Sequence, residues 1–248
     1  AVTTGLNRSD LIIVGARPGM GKTSFILNIA RNVAVQQNRT VAIFNLEMSR
    51  EQMVNRLLSG EARVPSKNLR TGMLSPDEWQ RLGTASSILC KAPIYLDETA
   101  TITVPEMKAR LRRLKNLSFV VVDYLQLMHG AKKTDNRVQE VSEITRSLKI
   151  MAKELDVPVM VAAQLSRSPE KQSGGSRKPG LSDLRESGSI EQDADQVLFI
   201  YRDAYYSNEQ QDPTAVSQNS SEIIVAKNRH GELGNVPLAW QGEFTQFL

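Results

Sequence analysis

The 248-residue sequence predicts an α/β protein with a mostly parallel central sheet and helices on both faces. Three observations carry that prediction. Several short runs, among them LIIV, FVVV and VPVMVAA, are apolar without alternation, as strands buried on both faces are. Segments with helical spacing or helix caps separate these runs, which is the order of βαβ units. The first run also breaks into a glycine-rich turn that leads straight into a helix.

That turn lies in LIIVGARPGMGKTSF, residues 11–25, which reads as strand, loop and helix start. Gly19 and Gly21 free the loop backbone of Cβ atoms, so its N–H groups can converge on one point. The helix beginning just after it adds unpaired N–H groups and a partial positive charge. Such a nest suits an anion with several oxygens. Ala16, Arg17, Pro18, Gly19, Met20, Gly21, Lys22, Thr23 and Ser24 follow the P-loop grammar of a nucleoside triphosphate site, with Ala16 where the strict pattern has Gly. Lys22 would set its ammonium on the outer phosphates, and the Thr23 hydroxyl suits Mg²⁺, so ATP and Mg²⁺ are the expected ligands. The competing reading is a plain strand-to-helix connection; the strand before and helix after supply the context the motif requires.

RTVAIFNLEMS follows as an apolar strand that ends in Glu47, and EQMVNRLLSGEA reads as a helix. Ser75-Pro76-Asp77 caps another helix, APIYLDE is a short strand, and TVPEMKARLRRLKN is a basic amphipathic helix. SFVVVDYLQLM is the most strand-like run. Val141, Ile144, Leu148, Met151 and Leu155 form one apolar stripe on a long helix. VPVMVAAQLS, ADQVLFIYR and SEIIVAKNR read as further strands. No internal repeat or linker divides the chain, so residues 1–248 are expected to form one domain. Residues 129–137 and 166–188 are polar, basic loops, the second rich in Ser, Gly and Pro.

Composition narrows the class. No apolar run approaches the roughly 20 residues that a membrane-spanning helix needs, and no membrane partner is expected. The single cysteine, Cys90, reads as an inert packing residue in a reducing, cytoplasmic setting. Two histidines make a zinc site improbable. A net charge of +4 is compatible with a nucleic-acid partner but does not require one.

In an open parallel sheet, ligands sit at the carboxyl ends of the strands. Lys22 and Thr23, Glu47, Asp123 and Gln164 each stand at such an end, so they should gather around the same phosphates. Asp123, after FVVV, is a Walker-B-type carboxylate for Mg²⁺. Glu47 is placed to polarise the water that attacks the γ-phosphate, and the Gln164 amide to sense that phosphate. An exposed strand-end charge is the competing reading of Glu47, and an ordinary turn residue that of Gln164.

In order, ARPGMGKT, FNLEMS, VVVDYLQLM, AAQLSR, DLRESGSIEQDAD and AKNRHGELG resemble the motor domain of the DnaB-type replicative helicases, across nearly the whole chain. The resemblance implies a RecA-like fold, ATP-driven unwinding of DNA at a replication fork, and a ring homo-hexamer with single-stranded DNA, a primase and a helicase loader as partners. The family's N-terminal helical domain and linker helix are not found, so the chain reads as a motor domain alone. The resemblance puts Arg185, Glu186 and Gly188 in a DNA-gripping loop. Lys132, Lys133, Arg137, Arg177 and Lys178 supply further cations to the two basic loops, where scarce aromatics point to phosphate contacts instead of base stacking. A solvated surface is the competing reading of both loops. The resemblance also makes Lys227 and Arg229 a basic pair that reaches a neighbour's γ-phosphate; a surface basic turn is the alternative. A RecA-type recombinase or signalling ATPase shares the P-loop and carboxylates but is not expected to carry DLRESGSIEQDAD. A non-catalytic nucleotide-gated scaffold would need no Glu47.

Overall fold

A computed structural model describes residues 2–130, 136–165, 178–184, 187–202 and 219–248, the side chains of Ser187 and Ser189 excepted. The parallel strands are β1 (Leu11–Ala16), β2 (Thr40–Asn45), β3 (Ile94–Asp97), β4 (Leu117–Asp123), β5 (Val159–Gln164) and β6 (Gln196–Tyr201). The helices are α1 (Lys22–Arg31), α2 (Arg50–Ala62), α3 (Ser66–Thr71), α4 (Pro76–Lys91), α5 (Val104–Leu111), α6 (Arg137–Leu155) and α7 (Ser187–Asp193). Strands β7 (Ser220–Asn228), β8 (Gly234–Gln241) and β9 (Gln246–Phe247) complete one sheet in the order β3-β2-β4-β5-β1-β6-β7-β8-β9.

Every residue of β1, β2 and β6 is buried, because helices cover both faces there. One core lies between the sheet and α5–α7, and holds the α6 stripe Val141, Ile144, Leu148 and Met151. The other packs α1 and α2 against the opposite face. Capping boxes at Ser49 and Ser75 satisfy the first N–H groups of α2 and α4.

Four features depart from the sequence reading. SEIIVAKNR pairs antiparallel with β6, and its alternating burial is that of a strand open to solvent on one side. Strands β8 and β9 are not legible in the sequence, since β8 has alternating half-exposed residues and a proline at an edge. Helix α5 stops at Leu111, and Asn116 at φ 55° turns the chain into β4. Cys90 is exposed, not packed: α4 buries only Leu82 and Ala85, and Cys90 lies off that stripe.

The amino edge of the sheet is tied by one buried carboxylate. Asp195 is 3% exposed and accepts from the Leu11 N–H at 2.8 Å, from the Lys149 ammonium and from Arg229 Nη1 at 3.1 Å. Burial alone would raise its carboxyl pKa, but these three donors hold it below the ordinary value. Its stabilising effect is therefore present above the ordinary carboxylate range and fades as pH falls through the lowered folded value. Lys149→Met should cost about 3 kcal/mol in urea unfolding, as removing one partner of a buried pair does. The variant should also lose less stability than the parent between neutral and acid pH. Equal urea midpoints for the two chains at pH 7 would contradict this account.

Candidate functional site

Strands β2, β4, β5 and β1 are neighbours, so their carboxyl ends share one edge. Asn45 stands opposite Asp123 in register, and Ala16 opposite Gln164. The loop 17–21 leaves that edge and turns into α1. Gly19 and Gly21 have φ of 77° and 91°, the left-handed region that disfavours any residue with a Cβ. At Gly21 a Cβ would also lie 3.1 Å from the Phe247 ring. Met20 is buried and closes the loop with an N–H to the Arg17 carbonyl at 3.3 Å. At Gly15 a Cβ would fall 2.7 Å from the Phe199 ring, so the strand before the loop requires glycine for packing.

Asp123 is 1% exposed, and its Oδ2 accepts from the Thr23 hydroxyl at 2.6 Å. Its Oδ1 is buried and has no hydrogen-bond partner among the described residues. A buried carboxylate oxygen left open beside a threonine hydroxyl suits a hard cation or its water shell. Burial raises the Asp123 carboxyl, while Thr23, Lys22 and Arg56 pull it down. Lys22 lies 4.4 Å above the Tyr124 ring. Burial lowers its ammonium pKa, and Asp123 and Glu47 oppose that shift. The pocket thus holds two desolvated charges of opposite sign next to a loop shaped for phosphate.

Glu47 is exposed at the end of β2. Buried Asn45 sets its turn: the side-chain oxygen accepts from the N–H groups of Met48 at 3.2 Å and Glu47 at 3.4 Å, and its amide donates to the Met48 carbonyl. Gln164 is tied by Gln126, whose amide oxygen accepts from the Gln164 N–H at 3.0 Å and whose amide nitrogen donates to the Gln164 carbonyl at 3.1 Å. The structure therefore brings Lys22, Thr23, Glu47, Asp123 and Gln164 to one edge.

Sequence reasoning missed three contributors there. Arg56 on α2 donates to the Ser24 hydroxyl at 3.4 Å, and burial lowers its pKa against the pull of Asp123 and Glu47. Gln126 sits inside YLQLM, where only the geometry reveals its partner. Arg202 donates to the Gly19 carbonyl at 3.4 Å and stacks 4.8 Å from the Trp240 ring, forming a wall beside the loop. Arg56 lies in the second turn of α2, and no spacing in the sequence flags it; Trp240 lies in a strand the sequence did not disclose.

The expected DNA contacts are only partly in view. Lys132, Lys133, Arg177, Arg185 and Glu186 lie outside the described residues. Arg137 is not a free loop cation: it donates to the carbonyls of Gln126 at 2.7 Å and Met128 at 3.2 Å, and pairs with Glu140. Lys178 pairs with Glu222 at 2.5 Å and lies over Tyr201. Gly188 is in α7 with open space around it.

Lys227 and Arg229 stand on the opposite edge. Asn228 pairs with Gln196, and Gln196 with Ile12, at the amino end of β1. From Leu11 to Ala16 is five strand steps, about 16 Å, before the loop begins. Arg229 therefore cannot meet the Lys22 of its own chain. Burial and the neighbouring Arg229 both lower the Lys227 ammonium, whose Nζ donates to the Glu191 carbonyl.

Residues 1–248 match the family described as DnaB-like helicase C terminal domain. The replicative DNA helicase DnaB of Geobacillus stearothermophilus is 51% identical over 251 residues, covering 100% of this chain and 54% of that protein. The replicative DNA helicase DnaC of Bacillus subtilis is 49% identical, again over 100% of this chain and 54% of the relative. The chain thus spans about half the length of the curated relatives it matches. A solved DnaB-like replicative helicase, studied with its primase interactions, superposes with a TM-score of 0.91 at 35% identity, over 98% of this chain and 58% of that one. A second solved structure, described as an ATPase domain, gives 0.90 at 35% identity, over 98% of this chain and 85% of that one.

Gly21→Ala should destabilise the chain by about 1–2 kcal/mol through the left-handed backbone alone, before any crowding by Phe247. It should also weaken nucleotide binding, because the loop would leave the conformation that only glycine permits at position 21. Urea unfolding and a fluorescent-nucleotide titration check both. Unchanged affinity would show that the loop does not depend on that conformation.

Proposed function

Because the chain belongs to the DnaB-like helicase C-terminal domain family, we propose that it is the ATP-driven motor of a replicative helicase. It hydrolyses ATP to move along single-stranded DNA and part the duplex at a replication fork. The RecA-like α/β fold shared with the solved relatives supports this, and one observation carries it: Lys22, Thr23, Glu47 and Asp123 converge beside a loop whose Gly19 and Gly21 hold left-handed backbone. A recombinase or signalling ATPase would keep the P-loop, but the family match favours the helicase.

Each residue has a task in this reading. The loop 16–24 cradles the phosphates, with Lys22 on the outer ones. Thr23 and Asp123 hold Mg²⁺, which neutralises phosphate charge when bound. Glu47, exposed and held by the Asn45 turn, accepts the proton of the attacking water. Gln164 reports the γ-phosphate to the chain that follows β5. Arg229 and Lys227 serve a neighbouring chain's site, because the sheet separates them from their own. Loop cations, with Arg185 foremost, grip DNA phosphates. A ring homo-hexamer, a primase, a loader and a cytoplasmic setting complete the reading; among the described residues, no helix is long and apolar enough to cross a membrane.

Measuring ATPase rate with and without single-stranded DNA, then strand displacement on a forked substrate, tests the whole reading. DNA stimulation without displacement would favour the recombinase class. Within the site, Lys22→Ala should lose ATP affinity and turnover together. Glu47→Gln should bind ATP normally and fail to hydrolyse it, a loss on the order of 10²–10⁴-fold. Equal loss of nucleotide affinity in both would contradict these roles. Lys22→Ala and Arg229→Ala chains should each be inactive and partly recover when mixed at high concentration on single-stranded DNA. A mixture no more active than the mean of its parts would remove the trans finger.

A further inference from the structure

Both cations of the β7 end are already docked on one feature. Lys227 Nζ donates to the Glu191 carbonyl and lies 3.5 Å from the Gln192 carbonyl. Arg229 Nη2 donates to the Gln192 carbonyl at 2.7 Å, and its Nη1 to Asp195 Oδ1 at 3.1 Å. The Arg229 N–H also reaches the Asp195 carbonyl at 3.0 Å. The last carbonyls of a helix are unpaired and carry its negative end, so α7 offers two acceptors where two cations arrive. Asp195 supplies the fixed point: Lys149 and the Leu11 N–H grip its Oδ2 and leave Oδ1 to Arg229. The following turn is pinned separately, by His230 Nε2 on Asp10 Oδ1 at 3.0 Å.

An exposed arginine in solution samples many rotamers, and ordering one costs side-chain entropy. Here the guanidinium is held at both ends of its fork, by Asp195 Oδ1 and by the Gln192 carbonyl. Such geometry aims the side chain. We propose that Asp195, with the carbonyl end of α7, is the positioning cradle that aims Arg229 and Lys227 at the neighbouring chain's nucleotide. Asp195 touches no substrate; it acts through Arg229. The inference rests on the trans reading of Arg229 made above, and its test is built so that the two can fail separately.

Asp195→Asn retains size and loses the charge that orders Arg229. Alone, it should bind ATP within about twofold of the parent and turn over on the order of ten- to a hundredfold more slowly, the scale of an ångström-sized misplacement. The decisive readout is which partner rescues it. Asp195→Asn chains own an intact P-loop and a misaimed finger, so Lys22→Ala chains, whose finger is intact, should restore activity. In an equal mixture about a quarter of head-to-tail interfaces pair those two good halves. Arg229→Ala chains should restore none, since no interface then has an aimed finger. A defect that merely loosens the fold would not discriminate between the two partners. If Asp195→Asn does not fold by circular dichroism, Asp195→Glu retains the charge for Lys149 while moving the carboxylate, and the same rescue pattern is expected. Recovery of Lys22→Ala with Arg229→Ala, but none of the Asp195 variant with Lys22→Ala, would overturn the cradle and leave the trans finger standing. Failure of that control mixture would overturn both. Full activity of the Asp195 variant alone would overturn the cradle.

Discussion

Six parallel strands end along one edge, and that shared direction is the constraint on which the rest of the structure depends. The chain climbs each strand to the same rim, so the residue after each apolar run arrives beside the others without any contact having to draw it there. Lys22, Thr23, Glu47, Asp123 and Gln164 need only be the right types at the right ends. The hydrogen bond from Thr23 to the otherwise buried Asp123 then welds the loop to the sheet, across the intervening β5. Charge at the rim follows from burial. The same helices that dry the sheet desolvate Lys22 and Asp123, and each moderates the other's shift.

Much of this was legible in the sequence, because the signals were local. A run such as FVVV can be buried on both faces only in a covered sheet, and Gly19 and Gly21 declare a backbone that other residues resist. The stripe on α6 is a period that needs no partner to be seen. What stayed hidden depends on pairs distant in sequence. Arg56 is one arginine among many until α2 lies against α1 and brings it to Ser24. Gln126 gives no signal in sequence until it meets both backbone groups of Gln164. Arg137 reads as a loop cation from its neighbours, yet three acceptors within the chain claim it. Trp240 was lost with β8, a strand with no continuous apolar run to announce it.

The amino rim is the counterpart of the carboxyl rim. Asp195 gathers donors from β1, α6 and the turn after β7, so one carboxylate ties elements from both halves of the sequence. The helix whose carbonyls complete that cluster, α7, begins two residues after Arg185. Within DLRESGSIEQDAD, Ser187–Asp193 therefore form a short rod and Asp195 an anchor, which gives that part of the motif a mechanical sense that its charged residues taken singly do not.

Placing the P-loop and the Lys227–Arg229 pair on opposite rims of one sheet also has an arithmetic consequence. Under the trans reading, each chain lends half a site forward and half backward, as links in a chain do. A run of n subunits left open then has n − 1 whole sites, with an unserved loop at one end and an idle arginine at the other. A lone subunit has none, a pair has one, and only closure brings the count to n. Output per subunit becomes a gauge of how the subunits are joined: it climbs with the length of an open run and gains its last increment when the two ends meet.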